Sequence, residues 1–86
     1  MAINYEAMQA ARPKQKSALT RAINSGSFYK VQRAVQDAVA FWNANGGVWP
    51  DDWSRWQRAL DDAAINHNRS TDSRYWVPTG VRLESF

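Results

Sequence analysis

The chain contains no cysteine. That excludes a disulfide framework and a thiolate metal site, and it fits a reducing compartment. It has one histidine, a poor basis for an imidazole metal centre without thiolate partners. Glycine and proline are sparse, at four and three of 86 residues. No glycine-rich phosphate loop of either common kind is present, and no cofactor is expected. No apolar run approaches the roughly 20 residues that span a bilayer. The N-terminus lacks a basic stretch followed by an apolar one, so no signal peptide is expected. These absences point to a cytoplasmic protein without a membrane segment. In that setting the glycosylation sequon Asn68-Arg69-Ser70 has no consequence.

What the chain does have is the composition of a folding domain. Its hydrophobic fraction is 44% and its aromatic fraction 13%, including five tryptophans. At this length residues 1–86 make one domain, with no room for a second core. The net charge of +3 is unevenly placed. Residues 1–36 carry six cations against Glu6, a net of +5, whereas residues 37–86 carry five arginines against seven carboxylates, a net of −2. A basic N-terminal half suggests a polyanion or an acidic partner.

Four helices are expected. The first covers about 4–11, with Asn4 as N-cap and Tyr5, Met8 and Ala11 on one face. Pro13 then interrupts, in the first turn of a second helix over 13–24 that buries Leu19, Ala22 and Ile23. Gly26 ends that helix in the left-handed conformation. Ser27 caps the strongest helix, 28–44. There Phe28, Val31, Val35, Ala38, Val39 and Trp42 share an arc of about 100°. Ala34 and Phe41 form an adjacent strip, so this helix should meet two neighbours. Asn45-Gly46-Gly47 stops it. Pro50 opens a fourth helix over 50–66, with Asp51 and Asp52 at the positive end of its dipole. Trp53, Trp56, Leu60, Ala63 and Ala64 form its stripe. Asp51 and Arg55 make an i,i+4 pair, and Ile65, on the polar face, implies fraying or bending there. A polar loop follows over 66–74. The tail, 75–86, is extended or a small hairpin around Pro78-Thr79-Gly80. The fold class is therefore all-α, a compact three-to-four-helix bundle with a strapped-on tail.

Trp53 and Trp56 belong to the core, whereas Trp49 and Trp76 are candidate exposed anchors, since tryptophan is enriched in interface hot spots. Lys14, Lys16, Arg21, Lys30 and Arg33 are candidate contacts for phosphates or an acidic protein. Ala22 and Gly26 have the spacing of a helix-turn-helix. However, Arg21, Ser25 and Gln32 stand where that motif prefers apolar residues. Asp61 and Asp62 lie toward the negative end of a helix dipole and read as a solvated face, with pairing to Arg58, Arg69 or Arg74 and contact with a basic partner as alternatives; their spacing does not support a two-metal site. His67 lies near Ser70, Asp72 and Ser73, but neither a nucleophile-bearing turn nor an oxyanion-hole motif accompanies it. No catalytic or metal-binding residue is expected, and the chain reads as a non-enzyme.

The run from Phe41 to Asp62, with Trp49-Pro50-Asp51-Asp52-Trp53-Ser54-Arg55-Trp56 at its centre, resembles segments of small proteins encoded by actinobacterial phages. The resemblance implies a non-catalytic role inside an infected host cell and assigns no functional residue. Together these readings favour a small protein-binding modulator, an inhibitor of a host protein or defence complex that acts by surface occlusion. The alternative is a small basic DNA-binding protein that contacts phosphates through its N-terminal half.

Overall fold

Three amphipathic stretches set the architecture. A computed structural model describes residues 2–86. It folds them into α1 (Tyr5–Asn24), α2 (Phe28–Ala44) and α3 (Trp53–Arg69), followed by short 3-10 turns at Ser73–Tyr75 and Leu83–Ser85. No strand occurs among the described residues.

The α2 helix organises the rest. The Ser27 side chain accepts from the Lys30 N–H, satisfying one orphan donor of the first turn. All six residues of its expected arc are buried: Phe28, Val31, Val35, Ala38, Val39 and Trp42. Both α1 and α3 pack against α2, as its two apolar strips require. One cluster gathers these side chains with Leu19, Ala22, Trp56, Leu60, Ala64 and Leu83.

The first two expected helices are one. α1 runs through Pro13 without a break, despite the ~3 kcal/mol that proline costs inside a helix. Gln9, whose carbonyl loses its donor, is exposed together with Pro13, so that carbonyl faces solvent. The chain on either side is held in place. Met8 packs on the core, Arg12 pairs with Asp52, and Gln15 accepts from the Trp42 indole at 3.4 Å. Asn4 caps the helix by accepting from the Ala7 N–H. Leu19 and Ala22 are buried as expected, but Ile23 is exposed.

The start of the third helix also differs. Pro50 does not open it; it sits in a turn that closes from Trp53 N to Pro50 O at 3.0 Å. Asp52 is the N-cap but makes no side-chain capping bond. Its carboxylate is instead engaged by Arg12 at 3.1 Å and Lys16 at 3.7 Å. The expected Asp51–Arg55 pair is absent from the ion pairs of the described residues. At the other end α3 neither frays at Ile65 nor stops at 66. It continues to Arg69, because its last turn is used to hold the tail.

The tail forms no hairpin. It turns back after α3 and runs along that helix in the opposite sense. The Asn68 side chain donates to Val77 O at 3.0 Å and accepts from Val77 N at 2.9 Å. Eleven residues earlier on α3, Gln57 donates to Val81 O at 2.8 Å and accepts from Leu83 N at 3.0 Å. Each side-chain amide thus offers the extended backbone the donor and acceptor that a neighbouring strand would offer. Between and beyond these clamps Val77, Val81 and Phe86 pack on the core, and Leu83 is fully enclosed within it.

Candidate interaction surfaces

Four of the five tryptophans form a connected cluster. Trp42 and Trp56 meet edge to face, with centroids 5.5 Å apart and planes at 89°. Trp49 lies 5.7 Å from Trp42 and 5.9 Å from Trp53, and its indole N–H donates to Asn43 Oδ1 at 3.2 Å. Trp49, a candidate anchor, is therefore half-buried and serves as a link in the cluster. It also lines a hollow of about 170 Å³ with Tyr5, Arg12 and Asp51.

Trp76 is different. It is 58% exposed and its neighbour Tyr75 is 61% exposed. The loop that carries them is fixed from several sides. Asp72 caps the 3-10 turn by accepting from Arg74 N at 3.0 Å. The Trp76 indole donates to Thr71 O at 3.2 Å. His67 Nε2 lies 2.9 Å from Tyr75 O. A carbonyl can only accept, so Nε2 carries a proton there. Asn68 holds Val77 on both backbone groups. The Arg74 guanidinium sits 5.6 Å from the Tyr75 ring centroid, in cation–π range.

These bonds also account for the residues around the histidine. The Ser70 hydroxyl donates to Asn66 O at 2.9 Å, and Asp72 is engaged by Arg74; neither reaches the His67 ring in a triad geometry. The imidazole packs on Phe28 and Tyr29, with centroids 5.9 and 5.7 Å away. Among the described residues no three histidine, aspartate or glutamate side chains gather as a metal site would need, and no helix is long and apolar enough to cross a membrane. Both amide atoms of Asn68, the sequon asparagine, are committed to Val77.

The basic residues divide. Arg21, Lys30 and Arg33 line one open groove of about 450 Å³ between α1 and α2. Its floor includes Ala18, Ala22 and Ala34, and Tyr29 and Asp37 complete its walls. Lys14 lines a second hollow of about 270 Å³ that shares Ala18, Ala34 and Asp37 with the first, so the two form one trough. Lys16 does not join them. Two positions beyond Lys14 it lies about 200° round the helix, where it meets Asp52. Arg33 is paired with Asp37 at 3.4 Å, whereas Lys14, Arg21 and Lys30 make no ion pair among the described residues.

Among the described residues the acidic doublet on α3 makes no ion pair with Arg58, Arg69 or Arg74. Asp61 accepts from Gln57 Nε2 at 3.0 Å, Arg74 goes to Asp72, and Asp62 is exposed. Gln57 itself was hidden in plain view in the sequence. It lies four residues after Trp53 and three before Leu60, on the apolar stripe, where a polar residue signals a buried hydrogen-bonding duty. Comparison with protein-family models, curated proteins and solved structures gives no match.

Proposed function

We propose that this chain is a small non-catalytic protein-binding modulator that works by covering a surface of its partner. The observation that carries this reading is the rigid outward presentation of Arg74, Tyr75 and Trp76. Tryptophan, tyrosine and arginine are the residue types that dominate interface hot spots. Here they stand in sequence, with both aromatic rings largely in solvent. The loop is pre-ordered by Asp72, Thr71, His67 and Asn68, which lowers the entropic cost of docking. In the setting implied by the phage resemblance, the partner is a host protein or defence complex in the cytoplasm. The test is capture from an actinobacterial host lysate with the immobilised protein and its Trp76→Ala variant. A stoichiometric partner retained by the first and lost by the second is expected. Nothing retained by either overturns the reading, and equal retention by both overturns the role given to the Arg74–Trp76 loop.

A second reading is supported by the gathering of Arg21, Lys30 and Arg33 beside Tyr29, since cations flanking an aromatic ring suit a nucleic-acid strand. It requires affinity that falls steeply with salt. A mobility-shift assay at low salt that shows no complex removes it.

A further inference from the structure

We propose that the trough between α1 and α2 is a docking site for an amphipathic helix with acidic flanks on a partner protein. This rests on the protein-binding reading and names the chemistry of the partner. The floor is made of alanine methyls, Ala18, Ala22 and Ala34, which let a second helix approach closely and offer no hydrogen-bond donors. The rim carries Lys14, Arg21 and Lys30 without ion-pair partners among the described residues. An apolar stripe laid on the floor therefore brings flanking carboxylates to free cations on both walls, from α1 and from α2. This is the helix-in-groove mode of recognition.

The dimensions suit such an occupant. The trough runs along α1 from Ala11 to Ser25, about 21 Å at helical rise, the length of about 14 residues in four turns. A nucleic-acid backbone fits less well. The alanine floor has nothing to give a phosphate oxygen, whereas an apolar helix face can lie directly on it. Asp37, shared by both halves, is paired with Arg33 at 3.4 Å, which moderates its repulsion of any anionic occupant. The trough also leads to the hot-spot loop. Tyr29 lines its end and meets His67 edge to face, and His67 in turn bonds the Tyr75 carbonyl. One partner can therefore engage both surfaces.

The test uses a peptide of about 14 residues with one alanine-leucine face flanked by glutamates, a lysine-for-glutamate counterpart, and a single-stranded DNA of matching length. Each is titrated to millimolar concentration while the alanine methyls are followed by NMR. The expected result is movement of the Ala18, Ala22 and Ala34 methyls with the acidic peptide. Binding should be at least tenfold weaker with the lysine peptide and with the Lys14→Glu/Lys30→Glu double variant, both sites being exposed. No movement, movement on another face, equal binding of the lysine peptide, or stronger movement of the same methyls by DNA overturns the proposal. If the trough is silent while Trp76-dependent capture persists, only this proposal falls. If capture is also lost, the protein-binding reading falls with it.

Discussion

The side chain of Gln57 and the backbone N–H of Leu83 meet at 3.0 Å in the interior of the protein. The same amide donates to Val81 O and to Asp61 Oδ1, so one buried residue of α3 satisfies two backbone groups of the tail. Gln57→Ala leaves the Leu83 N–H and the Val81 carbonyl without these partners. Each unsatisfied buried group costs about 1–3 kcal/mol. A total loss of about 2–6 kcal/mol is therefore expected, read as a lower midpoint in urea. A change below about 0.5 kcal/mol, the range of an ordinary surface substitution, would mean that the tail is not anchored there.

Leu83 is fully enclosed although it lies three residues from the last one described. Leu83→Ala should cost about 2–5 kcal/mol, the range for truncating a buried leucine. Thermal unfolding followed by circular dichroism checks this. The Gln57 and Leu83 effects should not add, since the two residues share a contact.

Asn68 predicts a local rather than a global effect. Its Oδ1 is the acceptor for Val77 N. Asn68→Ala should speed hydrogen exchange at the Val77 amide by about tenfold, the equivalent of 1.4 kcal/mol of lost local protection. Amides of α2 should be much less affected. Uniform acceleration across the chain would show instead that the tail and the helices open as one unit.

Two tryptophans should behave oppositely. Trp56 is 2% exposed and packs edge to face on Trp42, so Trp56→Ala should destabilise by about 3–5 kcal/mol. Trp76→Ala removes a largely exposed ring and should stay within about 0.5 kcal/mol. If Trp76→Ala proves as costly as Trp56→Ala, the exposed indole is structural and its assignment to a partner fails.

The Arg12–Asp52–Lys16 group is partly exposed, so its charges are screened. Asp52→Asn should cost less than about 1 kcal/mol, and less still in high salt. Urea midpoints of both forms at low and high ionic strength provide the check. A larger loss that does not respond to salt would assign Asp52 a hydrogen-bonding role rather than a charge role.

The helical frame was legible in the residues wherever apolar side chains repeat. The six-residue arc of α2 is visible in its spacing alone, and so is its second strip at Ala34 and Phe41. The gathering of Arg21 with Lys30 and Arg33 was partly legible, because helical spacing places each on an outer face. What misled was punctuation. Pro13 and Pro50 are strong local signals, yet the contacts of Met8, Arg12 and Gln15 carry α1 through the first. The Pro50–Trp53 turn takes the second out of α3. The tail was illegible for a different reason. Leu83 lies in a segment with no period, and its burial depends on two side-chain amides far away in sequence, Gln57 and Asn68.

Gly46 shows how tightly the other end is drawn in. Its φ is +118°, and a Cβ there would lie 2.7 Å from Ile3 Cα, while Asn4 N donates to Asn45 O at 3.0 Å. Synthesis is vectorial, and the position of Leu83 gives that a consequence. Val35 and Leu83, both fully enclosed members of one core, are delivered by the ribosome at opposite ends of the folding task. Until Leu83 has been made, the place it fills in that core is open. A chain ending before it leaves the apolar side chains that Leu83 covers without that cover.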